Sequence, residues 1–192
     1  MKDLVGMYID DHIEVMKSFL QIESEKLVRM AEIIHTCFKN GGKLLIFGNG
    51  GSAADAQHIA AEFVGRFSDY DRKPLPAIAL TTDTSVLTAV ANDFGFEYVF
   101  SRQILALGKR GDVLLGISTS GESENVYQSL RGGHFDNLIT LGFSGKDNTD
   151  IDTVCKLVLH VPSTVTSHIQ ECHIMAGHIL VMLVEELMKK EW

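Results

Sequence analysis

The chain has 192 residues, 45% of them hydrophobic and 22% charged, and a formal net charge of −8. That is one domain with enough apolar side chains for a real core, which excludes a disordered chain, a fibre and a disulfide miniprotein. An acidic chain with no Lys/Arg cluster argues against nucleic acid as its main ligand, and the longest clean apolar run, Ile179 to Val184, is too short to span a bilayer.

Met1 to Asp11 carries Asp3, Asp10 and Asp11 and no apolar core, so it does not read as a signal peptide. Residues 2–40 read as two helices. In the second, Leu27, Met30, Ala31, Ile34 and Phe38 recur at helical spacing behind a cap at Ser24, and the pattern stops at Asn40-Gly41-Gly42. Short strands follow at 43–47, 77–80, 113–117, 138–141 and 157–161, each with a turn and a helix after it. They are apolar throughout rather than alternating, as in a parallel sheet covered on both faces. The expected fold is α/β: a three-layer sandwich around a five-stranded parallel sheet, flavodoxin-like, preceded by two N-terminal helices and closed by a long helix from about Ile169 to Met188. Residues 1–192 form one domain in this reading, with 1–40 as a helical extension. Cys37, Cys155 and Cys172 show no short paired spacing, so neither a disulfide framework nor a cysteine zinc site is legible. A reduced, cytoplasmic location is expected.

In such a sheet ligands bind at the carboxyl ends of the strands. After the first strand comes Gly48-Asn49-Gly50-Gly51-Ser52, a glycine turn opening a helix, which suits an anion or a tight turn equally. Its Gly48-x-Gly50-x-x-Ala53 spacing fits a dinucleotide fingerprint. The acidic residue such a site wants at the end of the second strand is missing, since Asp83 comes too late. After the third strand, Ser118-Thr119-Ser120-Gly121-Glu122-Ser123 gathers four hydroxyls where a helix cap needs one, which favours a phosphate monoester. Thr81 to Ser85, with Asn92-Asp93, could hold sugar hydroxyls or could be ordinary loop chemistry. His58 and Glu62 stand at i and i+4 on one helix face and could share a metal, place a general base or simply pair. On the last helix, Glu171 and Ile174 fall on the line of His178 and Gln170 lies to one side, so the helical wheel alone does not select Gln170.

Together these segments, with Gln57-His58, Asn92-Asp93-Phe94-Gly95 and Ile169-Gln170-Glu171-x-His173, resemble the phosphoheptose isomerases, sugar isomerase (SIS) domain proteins, over nearly the whole chain. The resemblance implies an aldose–ketose isomerase acting on sedoheptulose 7-phosphate, a homotetramer with one zinc per subunit. It implies substrate binding by Asn49, Gly50, Gly51 and Ser52, sugar hydroxyls on Asn92 and Asp93, and phosphate on Ser118, Thr119, Ser120 and Ser123. It further implies His58, Glu62, Gln170 and His178 as zinc ligands, Glu62 and His178 as the acid–base pair, and Arg66 as a further active-site residue. The chain departs from the family at His168, where arginine is frequent, and at Asn148-Thr149, where glycines are usual. A non-catalytic relative, the initiator-associating protein of bacterial replication, shares the fold and much of the loop sequence but lacks the acid–base residues. Mean hydropathy of +0.10 and a closing helix apolar on several sides point to assembly, and the expectation is that His58/Glu62 and Gln170/His178 meet from different chains.

Overall fold

The computed structural model describes residues 1–145 and 147–189, so Lys146 and the last three residues lie outside the description. Strands β1 (Leu44–Gly48), β2 (Ala77–Ala79), β3 (Val113–Ser118), β4 (Ile139–Ser144) and β5 (Leu157–His160) form one parallel sheet. Their order is β2-β1-β3-β4-β5. The connections are α2 (Gly51–Val64), α3 (Thr84–Asp93), α4 (Ser101–Leu107) and α5 (Glu124–Phe135), with short 3₁₀ turns at Phe96–Tyr98 and Asp150–Thr153. Helices α1 (Lys2–Lys39) and α6 (Thr166–Met188) bracket the chain.

Successive strand residues point to opposite faces, and here both faces are covered. Leu44, Ile46, Leu115 and Ile117 join a core with α1, α2 and α6, through residues such as Met30, Ile59 and Leu180. Leu45, Phe47 and Leu114 face the other way, into a second core with Ile104 of α4 and Val126 and Leu130 of α5. β1 and β3 are buried along their whole length, which is why they read as unbroken apolar runs. The strand order reverses at β1, so the loops leaving β1 and β3 open side by side at the carboxyl edge, the usual ligand crevice of such a sheet.

The N-terminal region corrects the expectation of two helices: α1 is one helix of 38 residues. Ser24 is an exposed mid-helix residue, not a cap, and neither proline nor glycine interrupts the chain between Gly6 and Gly41. Lys26 bonds back to the buried Glu23 one turn earlier, and its Nζ also donates to the Val158 carbonyl of β5 at 3.2 Å. The apolar second half of α1 is thereby held on the sheet beside α6. The other boundaries move by at most three residues, chiefly because β4 runs on to Ser144. Cys37, Cys155 and Cys172 are all free thiols, pushed up in pKa by burial. Among the described residues no helix is long and apolar enough to cross a membrane.

Candidate active site

Helices α2 and α6 lie side by side and run in the same direction, because their contacts keep a nearly constant sequence offset: Gly51 with Gln170, Ile59 with Gly177, His58 with His178, and, just past the end of α2, Phe67 with Glu185. This alignment carries the site. The Nε2 atoms of His58 and His178 stand 3.2 Å apart, and the Oε1 of Glu62 lies 3.3 Å from the His58 Nε2. One ligand atom from each of the three falls within 4.8 Å of the others. The ring of Phe67 stacks on His178, with centroids 5.7 Å apart and planes at 26°.

The donor set and its spacing fit zinc. Two imidazole nitrogens and a carboxylate oxygen are ordinary zinc ligands, and a tetrahedral ion with bonds of 2.0–2.1 Å separates its ligand atoms by about 3.3 Å. The expected split between chains is corrected on one point: His178 meets His58 and Glu62 within a single chain. Gln170 does not join them there. Its amide lies over Gly51, where a Cβ would stand 2.4 Å from Nε2. Gly51 and His58 are seven residues apart on α2, about 10 Å of helix rise.

The loop after β1 reaches α5 through Asn49, whose amide exchanges hydrogen bonds with that of Asn125 at 2.8 and 2.9 Å. Gly50 caps α2 and Ser123 caps α5 without a side-chain bond to either helix, so first-turn N–H groups of both are left for a ligand. In the serine loop Ser118 Oγ donates to Ser123 Oγ at 2.9 Å and accepts from the Gly121 N–H at 3.1 Å. Ser120 Oγ accepts from the Glu122 N–H at 3.2 Å, which leaves its own hydroxyl proton available. Gly121 holds φ +70, and a Cβ there would collide with Thr149 and Ser144. Thr149 therefore packs on the serine loop. It also caps the second 3₁₀ turn through Asp152.

Other expected residues make local contacts of their own. Asn92 donates to Asp93 at 2.7 Å on the exposed end of α3, and among the described residues neither bonds to the cluster or the serine loop. Asp83 caps α3 through the Val86 N–H. Arg66, one turn past Glu62, lays its guanidinium over the Tyr70 ring at 4.4 Å. His168 is buried against Tyr8 and His12 of α1, so this departure serves helix packing. A cavity of about 490 Å³ opens beside Asn49, Ser123 and Asn125. A larger one of about 960 Å³ contains none of the cluster residues and is lined by Glu23, Lys26, Asp147, Asp152 and His160 among others.

Sequence reasoning missed Asp55, Phe67, Arg72 and Glu185. Burial pushes the Asp55 carboxyl up to about 6, against the pull of His58 one turn on. The i, i+3 spacing of Asp55 and His58 could have flagged it. No spacing rule points to the other three, which act across a fold.

A model of the SIS domain family matches residues 7–145. The chain is thus a SIS-domain protein, in keeping with its parallel sheet and serine loop. It is 50% identical to the phosphoheptose isomerase of Aquifex aeolicus over 187 residues, 97% of either chain. To phosphoheptose isomerase 1 of Campylobacter jejuni it is 47% identical over 186 residues, 97% of this chain and 99% of the other. The solved phosphoheptose isomerase of Neisseria gonorrhoeae superposes with a TM-score of 0.90 at 41% identity, covering 96% of this chain and 98% of that one. The chain belongs to the phosphoheptose isomerase family.

Proposed function

We propose that the chain converts sedoheptulose 7-phosphate to D-glycero-D-manno-heptose 7-phosphate, the first step toward an activated heptose for a bacterial glycan. The observation that carries this reading is the meeting of Glu62, His58 and His178 within reach of one ligand, in a chain half identical to a named phosphoheptose isomerase. Isomerisation moves a proton between C1 and C2, so it needs a base at carbon and an acid at oxygen. Glu62 takes the C1 proton while His178 protonates the C2 carbonyl oxygen, giving an enediol. His178 then takes the O1 proton as Glu62 delivers its proton to C2, and the aldose results with both residues restored. The serine loop, Ser118 to Ser123, holds the phosphate. Asn49, Gly50, Gly51 and Ser52 hold the sugar, with Asn92 and Asp93 for its hydroxyls and Arg66 as a further contact.

His58, Glu62 and His178 would hold one zinc per subunit. Bound there, it would supply Lewis-acid polarisation of the sugar carbonyl; a lone pair on zinc cannot carry a proton, so Glu62 and His178 would move protons only through atoms that the metal leaves free. Gln170 is assigned as the fourth ligand, and the assembly is read as a homotetramer. The exposed apolar residues of the first half of α1, Leu4, Val5, Ile9 and Ile13 among them, support assembly. The free thiols of Cys37, Cys155 and Cys172 suit the cytoplasm. The reading as a non-catalytic binding protein is not favoured, because Glu62 and His178 are both present and in reach of one ligand. Incubation with sedoheptulose 7-phosphate, followed by NMR, should show the aldose signal; no aldose at any enzyme concentration would reject the reading.

A further inference from the structure

Arg72, in the connection between α2 and β2, and Glu185 of α6 form an ion pair whose two side chains are wholly excluded from solvent. Each partner also grips the frame of the histidine cluster. The Arg72 Nη2 donates to the backbone carbonyl of Glu62, and Nη1 donates to the carbonyls of Phe63 at 2.8 Å and Lys73 at 3.0 Å. Glu62 and Phe63 lie in the last turn of α2, whose carbonyls have no partner inside the helix. Glu185 accepts from the backbone N–H groups of Phe67 at 3.1 Å and Ser68 at 3.0 Å, and from the Ser68 hydroxyl. The Phe67 ring in turn backs the His178 imidazole. Glu185 stands two turns beyond His178, on nearly the same line of α6.

Stability alone does not call for such a pair, since a buried ion pair can be replaced by apolar side chains of similar volume at little or no cost. What an apolar pair cannot replace is the set of directed bonds to the Glu62 carbonyl and the Phe67 amide. Both charges are permanent at working pH. Burial pushes the Glu185 carboxyl up, but the hydrogen bonds from Ser68, Arg72 and the Phe67 amide outweigh it and hold it down at about 2, and a guanidinium does not lose its proton. We propose that Arg72 and Glu185 are positioning residues that fix Glu62 and the Phe67-backed His178 relative to each other, for the acid–base reaction assigned above.

The inference rests on the isomerase reading, so its test needs a readout independent of turnover. The double variant Arg72→Met/Glu185→Leu removes both charges and keeps the bulk. It should fold, with a lower thermal midpoint because the Phe67 and Ser68 amides and the Glu62 and Lys73 carbonyls lose partners, and show kcat lower by roughly ten- to a hundredfold at a temperature where it is fully folded, with KM little changed, as misplacement of reacting groups does. The His178 ring-proton resonances, displaced by the Phe67 ring in the parent, should return toward their unstacked positions. A folded double variant with parental kcat and parental His178 resonances would overturn the proposal. If the double variant does not fold, Phe67→Leu asks the same question without touching the ion pair. It should lower kcat and release the His178 resonances, and parental values for both would again overturn the proposal. A parent chain inert toward sedoheptulose 7-phosphate would reject the isomerase reading, and the His178 resonances alone would then decide the role of the pair.

Discussion

Gly177 of α6 meets Ile59 of α2 with no space between them: a Cβ on Gly177 would stand 2.6 Å from both the Cδ1 and the Cγ1 of Ile59. Their chain neighbours, His178 and His58, are the pair whose Nε2 atoms lie 3.2 Å apart. The absent side chain at Gly177 thus sets the helix separation at the point where the imidazoles face each other. Alanine at 177 is favoured by helix propensity, by about 1 kcal/mol. Overpacking against the fully buried Ile59 costs about 1–3 kcal/mol, so Gly177→Ala should be neutral to destabilising. Its larger effect should be on turnover, through wider spacing of the two rings. Thermal unfolding and steady-state kinetics on the same preparation check both, and unchanged kcat would show that the separation is not critical.

Glu62→Gln removes the proposed base and keeps its shape. Turnover should fall by about 10²–10⁴-fold. Binding of the sugar phosphate should survive, because the serine loop lies on a different strand end from α2. Calorimetric titration of the inactive variant with sedoheptulose 7-phosphate checks the second half, and near-normal turnover would dismiss Glu62 as the base.

Metal analysis of protein purified without chelator should find about one zinc per chain, as a site of nitrogen and oxygen donors can hold without cysteine. His58→Ala and His178→Ala should each lower that content, whereas Asn92→Ala, whose amide bonds to Asp93 on the exposed end of α3, should leave it unchanged. Full activity after exhaustive chelation would remove the metal from the reaction.

Acid should weaken the fold in two stages. Burial pushes the His173 imidazole from 6.5 down to about 4, against a weaker pull from the Ser144 backbone. Below its unfolded value the unfolded chain takes up a proton that the folded chain refuses. The His173 contribution should therefore fall between pH 6.5 and 4 by on the order of 3 kcal/mol, partly offset below about 6 as the raised Asp55 carboxyl takes up a proton more readily in the folded chain. Glu185 acts lower. Its folded pKa is depressed from 4.5 to about 2, so its contribution is present above 4.5 and is lost as pH falls toward 2. Urea midpoints measured from pH 7.5 to 3 should show both slopes. A His173→Gln variant should lose the upper one, and if it keeps that slope another group is responsible.

The sheet was legible because its strands are buried on both faces and so appear as unbroken apolar runs, Leu44 to Phe47 most plainly. The two loops were legible because glycines and hydroxyls cluster after β1 and β3. The single helix α1 was not, since Ser24 resembles a cap locally and only the contacts of Glu23 and Lys26 show the helix running through it. The site was half legible. His58 and Glu62 share a helix face, but the approach of His178 depends on the parallel packing of α6 on α2, which no local spacing encodes. The same packing places the Gln170 amide over Gly51, which no local spacing encodes either.

Ser120→Ala separates phosphate recognition from damage to the fold. Ser120 Oγ accepts from the Glu122 amide and stands 3.5 Å from Ser118 Oγ, while its proton has room to turn toward a ligand. Ser118 is different: buried, and committed to both Ser123 and Gly121, so its loss would disturb the loop itself. Removing one hydrogen bond to a charged oxygen costs about 1.5–3 kcal/mol, or roughly ten- to a hundredfold in affinity. Binding of sedoheptulose 7-phosphate to Ser120→Ala should weaken by that factor. Inorganic phosphate should lose competitive strength in parallel, and the weak affinity for unphosphorylated sedoheptulose should not change. Equal losses for the phosphorylated and unphosphorylated sugars would mean that the loop has lost its shape, and unchanged affinity for both would place the phosphate elsewhere.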